Sequence, residues 1–266
     1  MMNAIKASAE YIKGRTAFEP EVGIILGTGL GGLVEHIEIV EAIPYSEIPN
    51  FPVSTVEGHS GKLIFGLLGG KKVVAMQGRF HYYEGYTAQQ VVFPVRVMKL
   101  LGIKYLFVSN AAGSMNSTFR VGDVMVINDH INLIPNPLIG KNLDELGPRF
   151  PAMNDAYNHE LIEKATAIAE REGIKLQYGC YVALTGPTFE TPKEYMWVKI
   201  IGGDAVGMST APEVIAARHM DIPVFGVSII TDTMENTCIS HEEVQANGRL
   251  AEKNMTKLFT ELLKTL

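Results

Sequence analysis

Cysteine is scarce: the 266 residues include only Cys180 and Cys238, which lack the CxxC spacing of a thiolate metal site. This count argues against a disulfide-stapled scaffold and predicts a reducing, cytoplasmic environment. No apolar run reaches the roughly 18 residues that a membrane span needs. The first residues also lack the apolar core of a signal peptide. We therefore expect a cytoplasmic protein without a membrane partner.

Basic charge is also in short supply. The chain has 23 Lys and Arg against 29 Asp and Glu, a formal net charge of -6, and no long basic run. Nucleic-acid-binding proteins carry basic patches, so we expect no nucleic-acid partner. Internal repeats and low-complexity linkers are missing as well. With 47% hydrophobic residues, a chain of this length can bury a substantial core, and a single large domain over 1–266 is as plausible as two small ones.

Short apolar segments alternate with segments that begin in helix caps. The predicted strands are Val22–Leu26, Leu63–Leu67, Lys72–Met76, Tyr105–Ser109, Val124–Ile127, Gln177–Leu184 and Pro223–Ile230. Capping-box spacing predicts helix starts for the pairs Thr87–Gln90, Thr191–Glu194, Thr210–Glu213 and Ser240–Glu243. The alternation predicts an α/β fold in which helices cover a buried sheet. With four prolines and two glycines, Ile134–Pro151 is predicted to be a long loop that is functional or packs on a partner.

A glycine-rich loop follows the first predicted strand, and Gly27, Gly29 and Gly32 formally satisfy GxGxxG. A dinucleotide site needs a full helix after these glycines and then a strand that ends in an acid. Here only about four residues separate Gly32 from the strand-like run Ile37–Val40, which argues against that site. The loop is better suited to holding a single phosphate with backbone N–H groups and the Thr28 hydroxyl. A tight turn without a ligand is the alternative.

An arginine and a histidine, Arg79 and His81, stand two residues apart after the strand Lys72–Met76. On an extended backbone this spacing directs both side chains to one side. A permanently charged guanidinium beside an imidazole is suited to holding an anion. Ordinary surface segments show the same spacing, so the pair alone leaves both interpretations open.

Three more segments leave predicted strands with residues suited to ligands. The small residues of 110–114 let backbone amides approach a ligand, at the strand ends where α/β sheets bind ligands. Phe189 beside Glu190 suits a heterocycle, through stacking and a hydrogen bond to its edge. Ser209 precedes a helix N-terminus, which favours anions. A plain turn, a core phenylalanine with a solvated glutamate, and a simple strand-to-helix joint are the respective alternatives.

An ordered set of segments resembles the trimeric purine nucleoside phosphorylases: GTGLGG, EGHSG, GRFHYYEGY, NAAGS, GPTFET, VGMST and SHEEV. The resemblance runs from about Gly23 to the C-terminal helix, and the ordered set is far more specific than any one motif. It implies phosphorolysis of purine (2′-deoxy)ribonucleosides, chiefly inosine and guanosine. It also implies one domain with a central, mixed, twisted and partly barrel-like sheet surrounded by helices. The segment Arg149–Met153 resembles the family's inter-subunit loop.

The resemblance assigns residues to subsites. The phosphate site would comprise Thr28, His59, Arg79, His81, Ala111 and Ser209. The ribose site would comprise Tyr83, Met208 and His241, together with Phe150 reaching in from a neighbouring subunit of a homotrimer. The purine site would comprise Ala111, Tyr181, Phe189, Glu190, Asp232 and Val244. The residues expected to act in catalysis are His81, Glu190, Asp232 and His241.

Two positions depart from the family pattern. Thr28 stands where serine is common, which keeps the hydroxyl, and Asp232 stands where enzymes for 6-oxopurines usually have asparagine. Inorganic phosphate is the expected co-substrate, with no metal or organic cofactor. Methylthioadenosine phosphorylase is a related alternative, although His241 suits a 5′-hydroxyl better than a thioether. A non-catalytic purine-binding module is the alternative from another class.

Overall fold

The computed structural model describes residues 1–28, 30–53, 61–234 and 240–266, without the side chain of Leu250. The helices are α1 (Met2–Arg15), α2 (Ala88–Val91), α3 (Phe93–Leu101), α4 (His159–Glu172), α5 (Pro192–Ile200), α6 (Ala211–His219) and α7 (His241–Leu263). The strands are β1 (Val22–Ile25), β2 (Glu38–Pro44), β3 (Lys62–Leu68), β4 (Lys71–Gln77), β5 (Tyr105–Ser114), β6 (Val124–Asn132), β7 (Leu176–Ala183), β8 (Ala205–Gly207) and β9 (Val224–Thr233).

Within the described ranges these strands form one mixed sheet in the order β2-β3-β4-β1-β5-β8-β7-β6-β9, and β9 also pairs with β5. The extra pairing closes β5, β8, β7, β6 and β9 into a ring, while β2, β3, β4 and β1 extend from it as an open sheet. Three pairings in this sheet, β4 with β1, β1 with β5 and β5 with β9, are parallel. The predicted mixed, partly barrel-like sheet is therefore confirmed.

Helices cover the sheet on two sides because each presents an apolar face to it. On one side, α1, α3 and α6 bury Ile5, Val95 and Val214 in the same cluster. On the other side, α4 and α7 bury Leu161 and Leu258 against the opposite faces of the strands. Burial of the strands on both faces explains why they read as continuous apolar runs in the sequence.

Three of the four predicted capping boxes are confirmed: Thr87–Gln90, Thr191–Glu194 and Ser240–Glu243. The pair Thr210 and Glu213 also marks a helix start, since Thr210 is the N-cap residue of α6, but the two residues do not form a capping box. Thr210 makes no side-chain cap at the start of α6, and its backbone has φ 65° and ψ -58°. The Glu213 carboxylate instead turns inward and pairs with buried Arg79, so it does not cap the Thr210 backbone.

The segment 110–114 is strand rather than turn, so the prediction that β5 ends at Ser109 was also wrong. Parallel pairing with β9 carries β5 through to Ser114. By contrast, the predicted loop Ile134–Pro151 does lack helix and strand. A short 3-10 helix over Gly31–His36, rather than a full helix, follows the glycine loop, as the argument against a dinucleotide site required. No helix in the described part of the chain is long and apolar enough to span a membrane.

Candidate active site

A pocket of about 370 Å³ opens at the carboxyl ends of β1, β4, β5 and β9. Its walls come from seven separate stretches of chain. The lining residues are Thr28, Arg79, His81, Tyr83, Asn110, Ala111, Ala112, Gly113, Pro187, Phe189, Glu190, Val206, Gly207, Met208, Ser209, Thr231, Asp232, His241 and Val244. Ligands of α/β sheets bind at such an edge, where parallel strands end together.

Charge is distributed unevenly along this pocket. We call Thr28, Arg79, His81 and Ser209 the cationic end, and Glu190 and Asp232 the carboxylate end. Arg79 contacts the Ser109 carbonyl of β5, whereas Asp232 lies opposite Gly113 of the same strand. Four residues of extended strand cover about 13 Å, so the two ends are separated by roughly the length of a small ligand.

Arg79 is buried at the cationic end and is fixed on two sides. Its Nε and Nη2 donate to the two carboxylate oxygens of Glu213, at 3.1 and 2.7 Å, and its Nη1 donates to the Ser109 carbonyl. Both side chains of this ion pair are no more than 2% exposed. A guanidinium carries five N–H groups in a rigid fork, so this anchoring fixes the plane in which Arg79 meets the pocket.

His81 lies next to Arg79 and is oriented by Glu84. The Glu84 carboxylate contacts both His81 Nδ1, at 3.0 Å, and the His81 backbone N–H, at 2.8 Å. The imidazole also stacks on Tyr83, with ring centroids 4.6 Å apart. Burial, reinforced by the nearby Arg79 charge, lowers the pKa of His81 despite the opposing effect of Glu84. His81 is therefore held as a neutral imidazole at neutral pH.

Ser209 and Thr210 approach the cationic end through an unusual backbone turn. A positive φ is strained for the β-branched Thr210, and such strain persists only where neighbours fix it. Asn110 Nδ2 donates to Thr210 Oγ1 at 2.9 Å, and the Ser209 and Thr210 hydroxyl oxygens are 3.1 Å apart. The backbone N–H of Ser209 donates to the Tyr181 hydroxyl. These bonds place the Ser209 hydroxyl at the pocket wall.

Glu190 lies at the carboxylate end, in the loop between β7 and α5. Burial raises the pKa of this carboxyl to about 7, and the negative charges of Asp232 and Glu194 act in the same direction. Glu190 therefore changes its protonation state near neutral pH. It accepts a hydrogen bond when ionised and can donate one when protonated.

Asp232 is 5% exposed and faces the same part of the pocket from the end of β9. Thr231 Oγ1 donates to its Oδ1 at 2.9 Å, and the Tyr195 hydroxyl donates to its Oδ2 at 2.8 Å. Burial raises the pKa of Asp232, and the two hydroxyl donors oppose that rise. The carboxylate end thus holds two neighbouring acidic groups whose proton count responds to their surroundings.

Other predicted site residues surround the middle of the pocket. His241 is the first residue of α7, and its Nε2 is 2.9 Å from Gln245 Nε2. Tyr83, Met208, Phe189 and Val244 complete the wall. The structure thus brings together most of the residues singled out from the sequence, and their individual roles stay predictions.

Two predicted site residues do not line the pocket, and a third is not among the described residues. Tyr181 is fully buried behind the wall, where its hydroxyl accepts from the Ser209 backbone N–H, and its role at the purine stays a prediction. Phe150 is 88% exposed on the loop 134–151 and does not line this chain's pocket, while its predicted contact with another subunit stays a prediction. His59 lies outside the described residues.

Sequence reasoning missed two residues that orient the charged groups, Glu213 and Tyr195. Both are buried and contact site side chains from helices that begin just after site segments. Glu213 could have been noticed as a glutamate on an otherwise apolar stretch of α6, where an unpaired charge would be costly. No sequence signal marks Tyr195, since its partner is 37 residues away.

Fold and pocket together define an enzyme of the phosphorylase class: the family model described as the phosphorylase superfamily matches residues 21–264. Purine nucleoside phosphorylase 1 of Geobacillus stearothermophilus is 52% identical over 91% of this chain and 89% of its own. The chain belongs to the purine nucleoside phosphorylase family within this superfamily.

Solved structures agree with this assignment. A crystal structure of Schistosoma mansoni purine nucleoside phosphorylase in complex with adenosine has a TM-score of 0.94 and 45% identity, covering 98% of this chain and 96% of that one. The same enzyme in complex with inosine has a TM-score of 0.94 and 44% identity, covering 99% and 96%.

Proposed function

We propose that this chain cleaves purine (2′-deoxy)ribonucleosides, chiefly inosine and guanosine, with inorganic phosphate, and releases the free base and (deoxy)ribose 1-phosphate. One observation carries the proposal: a single pocket has a fixed buried cation at one end and two titratable carboxyls at the other. Phosphate and a purine need these two environments at once. The S. mansoni relative, which forms complexes with inosine and adenosine, supports the substrate class.

Phosphate binds at the cationic end in this proposal. The donors are the Arg79 guanidinium, the Thr28 and Ser209 hydroxyls and the Ala111 backbone, and neutral His81, whose Nδ1–H goes to Glu84, accepts at Nε2 from a phosphate hydroxyl. A phosphate oxygen forms the new bond to C1′ as the bond from C1′ to the purine breaks, and the bonding electron pair leaves with the base. The sugar is cationic in the transition state, and the phosphate anion beside it stabilises that charge. Donors fixed in advance make such stabilisation effective because they need no reorganisation.

The purine binds at the carboxylate end. Ionised Glu190 accepts the N1–H of a 6-oxopurine, which hypoxanthine and guanine share. Asp232 lies toward N7 and the 6-substituent. As the bond from C1′ to the base breaks, the departing purine takes up at N7 the proton that the phosphate gives up, and ionised Asp232 accepts from that N7–H. Phe189 and Val244 provide the apolar walls for the heterocycle. The reaction needs neither a metal nor an organic cofactor, because both partners are positioned by the protein.

The sugar lies between the two ends, against Tyr83 and Met208, with His241 directed to its 5′-hydroxyl. The related activity on methylthioadenosine is the second candidate, and His241 argues against it. The imidazole can form a hydrogen bond with a 5′-hydroxyl, which both donates and accepts, whereas a thioether sulfur is only a weak acceptor.

One assay tests this function. Initial rates are measured for inosine, guanosine, xanthosine, adenosine and methylthioadenosine, each with and without phosphate. We expect phosphate-dependent release of base, fastest with inosine and guanosine. Binding of inosine without any phosphate-dependent cleavage would instead identify a non-catalytic purine-binding module. A preference for methylthioadenosine would favour the second candidate.

The same proposal includes a homotrimer in which Phe150 completes a neighbouring subunit's ribose site. Support comes from the resemblance of Arg149–Met153 to the family's inter-subunit loop and from the exposure of the Phe150 ring, which leaves it accessible to a neighbouring subunit. Sedimentation or light scattering should give about three times the chain mass of 29.1 kDa. Full activity in a genuine monomer would contradict a shared site.

A further inference from the structure

The Tyr195 hydroxyl has one hydrogen-bond partner among the residues that the structure describes, the Asp232 carboxylate. Tyr195 lies on α5, 4% exposed, and its ring packs with Met115, Val182, Val198 and Val206 behind the pocket. Its hydroxyl reaches from this apolar cluster to Asp232 at the carboxylate end of the pocket. Because the side chain does not line the pocket itself, it acts on a ligand only through Asp232.

The two hydroxyls on Asp232 are not equivalent. Thr231 Oγ1 is 2.9 Å from Asp232 Oδ1 and 3.4 Å from the Ala112 carbonyl, so it has an alternative acceptor. If Oδ1 were protonated, Thr231 could turn to that carbonyl. Tyr195 has no such alternative in the described structure, so its proton goes to Asp232 Oδ2. Protonation of Asp232 at either oxygen would replace this charge-assisted hydrogen bond from the buried Tyr195 hydroxyl with a weaker one to a neutral carboxyl, so the tyrosine favours the ionised form.

The hydrogen bond between Tyr195 and Asp232 depends on glycine at position 113. A Cβ at Gly113 would lie 2.6 Å from Asp232 Oδ2 and 2.7 Å from the Tyr195 hydroxyl oxygen. Both distances are shorter than any normal contact. Gly113, Tyr195 and Asp232 therefore form a fitted group, in which glycine leaves the space that the hydrogen bond occupies.

The charges around Asp232 otherwise favour its protonated form. Glu190 faces it from the loop between β7 and α5, and Glu194 faces Glu190 from the first turn of α5. His241 lines the pocket from α7. Burial raises the pKa of Asp232, and the Tyr195 hydrogen bond is the first of the two contacts that lower it. Burial and the neighbouring Asp232 charge raise the pKa of Tyr195 itself, so the hydroxyl remains a donor.

We propose that Tyr195 is a positioning residue that determines base specificity, because it holds Asp232 as an ionised acceptor and so lets the pocket take 6-aminopurine nucleosides besides 6-oxopurine nucleosides. This inference rests on the proposed function and specifies its substrate range. An ionised carboxylate accepts from the 6-amino group of adenine, whereas it repels O6 of hypoxanthine. Without the tyrosine hydroxyl, more of Asp232 is protonated and can donate to O6.

The test is the variant Tyr195→Phe, which keeps the ring and its packing. We expect the inosine-to-adenosine ratio of kcat/KM to rise about three- to tenfold, the effect of a pKa change of about half to one unit. The pH below which activity on adenosine is lost should move upward, while the KM for phosphate stays unchanged. Tyr178→Phe is the matched control, since that hydroxyl contacts Thr166 and Tyr178 does not line the pocket.

A double variant separates a positioning role from a general structural one. In the Asp232→Asn background, Tyr195→Phe should change the ratio by less than about twofold, because the group that it acts on no longer titrates. An equal shift in both backgrounds would overturn the inference, and so would an unchanged ratio in the single variant.

Binding of the free bases makes this test independent of turnover. Calorimetry should show that Tyr195→Phe weakens adenine relative to hypoxanthine by the same factor. If the wild-type protein binds both bases but cleaves no nucleoside, the proposed function fails while this ratio still tests the role of Tyr195. An unchanged ratio of dissociation constants would overturn the inference whatever the outcome of the kinetic assay.

Discussion

The two ends of the pocket differ in how firmly the positions and charges of their side chains are fixed. At the cationic end, Arg79 and His81 are each locked by a buried carboxylate, Glu213 and Glu84, so their positions and charges are settled before a ligand arrives. At the carboxylate end, Glu190 and Asp232 face each other, and burial raises the pKa of both carboxyls. Their protonation therefore depends on pH and on their surroundings.

This difference matches what each end has to recognise. Phosphate presents the same oxygens whichever nucleoside is bound, so a fixed cradle serves every turnover. Purines differ in donors and acceptors at N1 and at the 6-position, and a carboxyl that titrates near neutral pH can serve either pattern. Fixed geometry therefore supports the chemistry, and adjustable protonation supports the choice of base.

The largest effect is expected at the cationic end. Arg79→Ala should raise the KM for phosphate and lower turnover, together by roughly 10- to 100-fold, because a charge-assisted contact is worth about 1.5–3 kcal/mol. Steady-state kinetics with varied phosphate measures this. The exposed Arg120→Ala is the matched control.

Arg79→Ala also leaves Glu213 buried without its partner, which should lower the free energy of unfolding by about 3–5 kcal/mol. The double variant Arg79→Ala/Glu213→Gln removes the orphaned charge and should recover part of that stability, but not the phosphate affinity. Unchanged phosphate kinetics in a folded Arg79 variant would show that Arg79 does not bind phosphate. The comparison between the two ends of the pocket would then fail.

An intermediate effect is expected at Glu190, in the form of a pH dependence. The pKa of about 7 means that the ionised form, which accepts N1–H of inosine, prevails above pH 7 and is lost below it. We expect kcat/KM for inosine to fall by about tenfold per unit well below pH 7. For adenosine the protonated form donates to N1, so its kcat/KM should fall above pH 7.

Glu190→Gln should remove both of these pH limbs, because an amide donates and accepts without titrating. The rates for inosine and adenosine are compared between about pH 5.5 and 8.5, with Glu170→Gln, an exposed glutamate on α4, as the control. A limb near pH 7 that persists in Glu190→Gln would assign the titration to another group.

The smallest effect is expected for Asp232→Asn. Asparagine can accept from N7–H and donate to O6, so the inosine-to-adenosine ratio of kcat/KM should rise. A ratio that stays within about twofold, near 0.4 kcal/mol, would mean that Asp232 does not recognise the 6-position. The carboxylate end would then consist of Glu190 alone.

Much of the fold could be predicted because burial leaves a direct mark on sequence. Strands such as β3 and β4 are apolar on both faces, and the cap at Thr191 with Glu194 needs only local residues. The strand β5 was predicted too short, since Ala111 and Gly113 have low strand propensity and are held extended by pairing with β9. Non-local pairing overrode the local preference.

For the site, the sequence by itself determined which residue types are available and in what order: the Arg79 and His81 pair, the small residues of 110–114, and Glu190 beside Phe189. Chain order and motif spacing were enough to indicate a family and a substrate class. These signals are local, because each motif lies in one stretch between a strand and the element that follows it.

Only the tertiary structure decided how those groups are held and charged. Glu213 lies 134 residues from Arg79 and Tyr195 lies 37 residues from Asp232, yet each fixes its partner by a buried hydrogen bond. Burial, which no single segment determines, sets the pKa of Glu190 near 7 and keeps His81 neutral. Electrostatic properties depend on everything packed within a few ångströms, and that neighbourhood exists only after the closed sheet has brought β5, β8 and β9 together.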